Sequence, residues 1–331
     1  MKKLMIYGAT GYTGRMIVQH ALEARLQVII AGRDREKLAA MSSDLDVPFR
    51  AFRLDNPVTI DSGFDNIDTV INCAGPFLHT ARPLMEAAIR KKVHYLDVAA
   101  ELDSYQIAEI LGEVASSAGV MLLPGCGGSV AMLGCLAAHA ATRVNNPARI
   151  SLALHVTGTM SRGSAVSAAE NLSTQCLIRR NGQLMESESG ELQEFDFGKG
   201  PKACFPVTLP DLITVWKATG IPDIKTFVHV SGEGFPQGHL ADLPDGPTAQ
   251  EREASRYQAV AEVLNADGET LYMLLDTVNG YSFTALAAAE AGRRVLAGEC
   301  RPGFQTPATL FGKHFAETIA DTRITTSDAL R

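Results

Sequence analysis

The sequence predicts an α/β protein in which a parallel, helix-wound sheet is followed by a second α/β domain with a mixed or antiparallel (α+β) sheet. Three observations predict it. Short apolar runs alternate with stretches of helical period over the first third of the chain. A glycine-rich stretch, Gly8-Ala9-Thr10-Gly11-Tyr12-Thr13-Gly14-Arg15, follows the first of those runs. Beyond about Pro124 the texture changes to alternating segments joined by an Asp-Gly turn, the pattern of antiparallel pairing.

Leu4 to Tyr7 is a short apolar run and reads as the first strand. Gly11 to Ala24 carries Met16, Ile17 and Ala21 at helical spacing, Gln27 to Ala31 reads as the second strand and Arg35 to Met41 as the next helix. Phe49 to Leu54, Thr69 to Cys73, Val93 to Val98 and Val120 to Leu123 continue the sheet, with a helix over Arg82 to Arg90. Ser116 to Thr142 holds no Asp, Glu, Lys or Arg, but Pro124 and its neighbouring glycines divide it into a strand, a loop and a helix. Each piece falls short of the roughly 20 apolar residues that span a bilayer, so no membrane span is expected. In the second half, Ile150 to Val156 and Thr226 to Ser231 read as strands and Gly163 to Ile178 as a helix. Tyr257 to Leu264 and Thr270 to Val278 read as a hairpin, and Ser282 to Leu296 as a helix closing that domain, with Ala285, Ala288, Ala289 and Gly292 as a close-packing stripe. The Gly- and Pro-rich segment from Glu233 to Glu253 reads as an excursion on the surface or over a cleft, where it would serve as a lid.

A chain of 331 residues with a net charge of −7 and scattered basic residues excludes an extended nucleic-acid footprint and leaves room for a small anion through a local patch. Six cysteines without a C-x-x-C pair are expected as reduced thiols in a cytoplasmic protein, and no zinc framework is visible. Cys135 and His139 fall four apart on one helix face, which without further ligands reads as core packing, so no metal is expected.

A strand, a glycine-rich turn and a helix let the backbone approach a pyrophosphate and aim helix N–H groups at its charge. Gly8, Gly11 and Gly14 stand where this Rossmann-type geometry needs them, and Thr10, Tyr12 and Thr13 line the same loop. At the end of the second strand an NAD site places an acid on the ribose. Here Arg33 stands at about that position, which suits the 2′-phosphate of NADP, while Asp34 keeps NAD open as the lesser alternative. Ala74, Gly75 and Pro76 end the fourth strand and let a flat ring approach the backbone.

These stretches, with AGRDREKL, NCAGPF, HYLDVAAE, LLPGCGGS and GFQTPATLFG, together resemble the saccharopine dehydrogenase-like family of NAD(P)-dependent oxidoreductases. The resemblance implies a dinucleotide domain over residues 1–125, a substrate domain over 126–300 that also mediates homodimerisation, and a segment, 301–331, that packs back on the first domain. It implies hydride transfer between NADPH and a small metabolite or acyl substrate, with C=N reduction in some relatives and C=C reduction in the trans-acting enoyl reductases. No tyrosine has a lysine four residues on, which sets aside the short-chain dehydrogenase pattern.

Proton donors and substrate contacts are sought in the crevice loops. His79 and Asp97 are weak catalytic candidates, with a helix cap and a backbone clamp as their structural alternatives. Arg82, Cys126, Ser129 and Arg162 are candidate substrate contacts, Arg162 because it opens a helix that could hold a carboxylate or phosphate. Since no acid–base pair is recognisable, a non-catalytic NADP(H) sensor that meets a protein partner is the alternative reading.

Overall fold

The structure is a computed structural model that describes residues 2–171, 176–187, 190–231 and 243–326. The first sheet is built from β1 (Lys3–Tyr7), β2 (Gln27–Gly32), β3 (Phe49–Ala51), β4 (Thr69–Asn72), β5 (His94–Asp97) and β6 (Met121–Leu123). Between these strands run α1 (Tyr12–Glu23), α2 (Arg35–Leu45), α3 (Pro57–Gly63), α4 (Phe77–Lys91) and α5 (Leu102–Ser117). α6 (Gly128–Ala141) leads into the second sheet, which holds β7 (Pro147–Thr157), β8 (Leu177–Arg180), β9 (Gln183–Glu186), β10 (Gln193–Asp196), β11 (Pro201–Pro206), β12 (Asp223–Ser231), β13 (Arg256–Asn265) and β14 (Thr270–Val278). Its helices are α7 (Arg162–Asn171), α8 (Asp211–Thr219) and α9 (Ala249–Glu253). The chain closes with α10 (Gly280–Leu296), β15 (Gly303–Phe304), α11 (Pro307–Leu310) and β16 (Arg323–Thr326).

The first sheet is parallel, in the order β15-β6-β5-β4-β1-β2-β3. Strand order reverses between β1 and β4, which opens a crevice at the carboxyl ends of those two strands. β1 and β4 bury every residue from Leu4 to Tyr7 and from Thr69 to Asn72, as expected for strands covered by helices on both faces. The second sheet is mixed: β7 and β12 run parallel, while β13 pairs antiparallel with β7 and with β14.

Several expectations change. β3 stops at Ala51, because Phe52 turns inward to stack on Tyr7 at 5.0 Å. The helix expected from Arg82 begins at Phe77, and the stretch expected as one helix over Gly163 to Ile178 divides into α7 and β8. α10 does not close the second domain. It lies on the first sheet, where a Cβ on Gly292 would come within 3.2 Å of Ile71 Cδ1 and 3.4 Å of Leu4 Cδ2. The last segment serves both sheets: Gly303 and Phe304 pair with Met121 and Leu122, whereas Arg323 to Thr326 pair with β14. Residues 327–331 lie outside the described residues.

Candidate dinucleotide site

The glycine loop owes its shape to two close approaches. Gly8 has φ +83°, and a Cβ there would lie 2.8 Å from the Ala74 backbone nitrogen, so this position brings the β1 and β4 loops together only as glycine. A Cβ on Gly14 would lie 2.2 Å from the Gly8 carbonyl oxygen, so α1 starts this close to β1 only with glycine in its first turn. The Gly8 N–H donates to the Ala31 carbonyl at 2.8 Å, and Gly11 caps α1 without a side-chain hydrogen bond. The first N–H groups of a helix have no partner four residues back, so those of Tyr12, Thr13 and Gly14 face the crevice with the positive end of the helix dipole behind them. Backbone cradle, donors and dipole fit a pyrophosphate. Thr10 lends its carbonyl to the Arg15 guanidinium at 2.8 Å.

At the end of β2, Arg33 is exposed. Asp34 caps α2, its carboxylate accepting from the Lys37 N–H at 3.1 Å with the Lys37 ammonium 3.6 Å away. Arg35 stacks over Phe49. The acid that kept NAD open is thus engaged by its own helix, and a cationic side chain faces solvent beside it.

Across the crevice, the Ala74-Gly75-Pro76 turn is tied down by buried Asn72, whose side chain accepts from the Ala74 N–H at 3.0 Å and donates to Thr80 Oγ1 at 3.0 Å. Thr80 in turn donates to the Ala74 carbonyl at 2.6 Å. Asp97 has no solvent exposure. Its Oδ1 accepts from Ala99 N–H at 3.0 Å and Gly125 N–H at 2.8 Å, and its Oδ2 from the Tyr95 hydroxyl at 2.8 Å. Burial pushes its carboxyl up to about 6, against the pull of these donors. Asp97 therefore buttresses two crevice loops and presents no free oxygen to a substrate, which removes it as a catalytic candidate. Cys126 is equally enclosed, its thiol pushed up first by burial and then by Asp97, so it is removed as a substrate contact.

His79 is exposed on the first turn of α4, beside the crevice turn. Arg82 points to solvent and pairs with Glu86 of its own helix at 3.5 Å, because Phe77, Ala81 and Leu84 occupy the inward face. Ser129 is half-buried in the first turn of α6. Cys135 and His139 part company: Cys135 Sγ faces the Gly312 carbonyl at 3.9 Å, while His139 Nε2 meets Glu317 at 3.0 Å.

Arg162 opens α7 with its charge already answered. Its guanidinium meets the Asp245 carboxylate and the Leu243 carbonyl, and Asp245 also pairs with Arg15 at 2.7 Å. This places a strap of the second domain over the glycine loop. The Tyr12 hydroxyl donates to the Pro247 carbonyl, Arg252 donates to the Tyr12 hydroxyl at 2.7 Å, and Tyr281 meets the Tyr12 ring edge-on at 5.4 Å. Gly246 passes so close that a Cβ would lie 2.7 Å from that ring. Of the expected lid over Glu233 to Glu253, residues 233–242 lie outside the described residues, and 243–253 form the strap and α9. Sequence reasoning misses Asn72, Tyr95, Asp245, Arg252 and Tyr281. Asn72 alone had a signal, as a polar residue ending a buried strand.

Comparison with known proteins agrees with this geometry. Residues 4–123 match the saccharopine dehydrogenase NADP binding domain family. A saccharopine dehydrogenase-like oxidoreductase of Rattus norvegicus is 24% identical over 147 residues, covering 38% of this chain and 34% of that protein. A trans-acting enoyl reductase of Mycobacterium leprae is 27% identical over 106 residues, 30% of this chain and 25% of that protein. The matched part thus spans about a third or less of these curated relatives. Among solved structures, apo saccharopine dehydrogenase (L-Glu forming) of Saccharomyces cerevisiae superposes with a TM-score of 0.67 at 14% identity, covering 99% of this chain and 100% of that one. Homospermidine synthase of Legionella pneumophila in complex with NAD gives 0.66 at 11%, covering 99% and 92%. At these identities the likeness shows the fold, a parallel-sheet nucleotide domain with a second, mixed-sheet domain. The amino-terminal domain is thus similar to the saccharopine dehydrogenase NADP binding domain family, and the whole chain shares the fold of saccharopine dehydrogenase.

Proposed function

We propose that the protein is an NADP-dependent oxidoreductase that transfers hydride between NADPH and a small metabolite or acyl substrate held between its two domains, reducing a C=N or C=C bond. One observation carries the cofactor reading: Asp34 is engaged as the cap of α2 while Arg33 beside it is exposed at the end of β2. Gly8, Gly11, Gly14 and the first N–H groups of α1 would hold the pyrophosphate, Thr10, Tyr12 and Thr13 would line it, and Arg33 would hold the 2′-phosphate. When bound, the nicotinamide supplies or accepts the hydride. Ala74, Gly75 and Pro76, immobilised by Asn72 and Thr80, would offer a flat ring a fixed wall of backbone. The strap from Leu243 to Pro247 covers the phosphate end and restricts water there. Of the crevice residues, His79 and Ser129 would meet the substrate.

The experiment is a titration of NADPH, NADP+ and NADH against wild type and Arg33→Ala, followed by NADPH oxidation with imines, oxoacids and enoyl thioesters. Charge-assisted hydrogen bonds contribute roughly 1.5–3 kcal/mol, so Arg33→Ala should weaken NADPH by about 10- to 150-fold and leave NADH unchanged. Equal losses for both nucleotides would overturn the NADP reading. The enclosure of Asp97 favours a second reading, a redox sensor without turnover. That reading requires NADPH and NADP+ to bind with different affinities.

No helix among the described residues is long and apolar enough to cross a membrane. All six cysteines are free thiols, which supports the cytoplasm as the compartment. Phe205 and Val230, apolar side chains exposed on β11 and β12, support a homodimer through the second sheet, which sedimentation would test.

A further inference from the structure

A second cationic site stands far from the glycine loop. Where β7, β8 and β12 meet, Arg149, Arg179, Arg180 and Lys225 line a small open cleft of about 70 Å³ together with Ile178 and one acid, Asp223. From Arg149 to Thr157, β7 runs about 25 Å at roughly 3.3 Å per residue, so this cleft lies at the opposite end of the strand from the turn that leads to Arg162.

Local charge runs against the whole. The chain carries a net charge of −7, yet four cations face one acid here. Arg179 is only 7% exposed and makes no ion pair among the described residues, feeling Glu109 only at a distance: its Nε donates to the Leu212 carbonyl at 2.6 Å, its Nη1 to the Gly182 carbonyl at 2.5 Å, and its guanidinium lies over Trp216. Two carbonyls and an indole thus hold a buried cation rigidly without neutralising it. Arg149, Arg180 and Lys225 make no ion pair or side-chain hydrogen bond among the described residues. Asp223 accepts from the Asn181 N–H at 2.8 Å. Glu262 on β13 feels Arg149 electrostatically but hydrogen-bonds Tyr272. Like charges gathered in this way repel one another, and an anion that accepts from all of them removes that cost. Several cations around one small cleft match the oxygens of a phosphate, whereas a nucleic acid needs an extended basic stripe.

We propose that this cleft is a second anion site, which binds a phosphate group carried by a small ligand independently of the dinucleotide. The test uses the full chain saturated with NADPH, so that the cofactor's phosphate positions are filled, and repeats the titration without nucleotide. Inorganic phosphate and pyrophosphate are titrated against chloride at matched ionic strength by calorimetry and phosphorus NMR. The variants are Arg149→Gln with Lys225→Gln, both on the outer strand face, Arg180→Gln separately, and Arg33→Ala as the cofactor-site control. We expect phosphate binding in wild type and Arg33→Ala, weakened about tenfold or more in the double variant and in Arg180→Gln. Absence of binding in wild type, or equal binding in the double variant, would overturn the proposal. A change of oligomeric state in the double variant without any phosphate binding would also overturn it and assign the cleft to an acidic side chain of a second copy.

Discussion

Arg15, beside the last glycine of the phosphate loop, lies 2.7 Å from the carboxylate of Asp245, a residue of the other domain 230 positions away. Asp245 also meets Arg162 and so stands between two guanidinium groups at the crevice where phosphate is proposed to bind. Both partners of the Arg15 pair are about half exposed, which limits the pair to about 0–1 kcal/mol. Asp245→Asn should therefore free Arg15 and Arg162 for the nucleotide and tighten NADPH by up to about fivefold, read by fluorescence titration. Weaker binding in the variant would instead assign Asp245 to holding the crevice closed.

The strap itself can be displaced by one side chain. Gly246→Val places branched carbon against the Tyr12 ring, where even a Cβ would stand at 2.7 Å. The segment around Pro247 should then be cut faster by protease than in wild type, and added NADPH should protect it less. Identical cutting patterns would show that the strap does not depend on its seat over Tyr12.

Gly14→Ala tests the cradle. Its Cβ would meet the Gly8 carbonyl at 2.2 Å, a backbone atom that cannot rotate away, so α1 must shift from β1. Nucleotide binding should fall by about tenfold or more, with a lower melting temperature, since core overpacking costs about 1–3 kcal/mol. An unchanged affinity would remove the glycine loop from the cofactor site.

Asp97→Asn keeps an oxygen for the Ala99 and Gly125 N–H groups but turns an amide toward the Tyr95 hydroxyl, which already receives a hydrogen bond from Asn72 at 3.2 Å. The hydroxyl proton then lacks an acceptor. Stability should fall by about 1–3 kcal/mol in denaturant titration. Because Asp97 touches no substrate in this arrangement, turnover of the folded variant should persist. A loss of turnover without a loss of stability would restore Asp97 to catalysis.

Asp211, at the start of α8, is fully buried, its carboxyl has no hydrogen-bond partner among the described residues beyond its own backbone N–H, and burial pushes it up to about 8. The unfolded chain releases this proton near pH 4 and the folded chain only near pH 8, so wild-type stability falls as pH rises across that window. Asp211→Asn cannot ionise. Its stability relative to wild type should grow by up to about 1.4 kcal/mol per pH unit between pH 4 and 8 and level off above. A difference that stays constant with pH would show that Asp211 does not titrate in the folded protein.

What the sequence by itself determined is the part written in local backbone geometry. Gly8 and Gly14 are legible because a positive φ and a sub-contact Cβ distance admit only one residue type. The buried strands β1 and β4 are legible because parallel strands covered on both faces must be continuously apolar. The hairpin around Asp267-Gly268 is legible from its turn chemistry. Tertiary structure alone decided the rest. Asp97 looks like a crevice acid until Ala99, Gly125 and Tyr95 close on it, and Arg162 looks like a free anion hook until Asp245 reaches it. α10 reads as part of the second domain because sequence order says so, yet its small-residue stripe fits the first sheet. Contacts between residues more than two hundred positions apart leave no period and no spacing in the chain. They exist only once the cores that bring their elements together have formed.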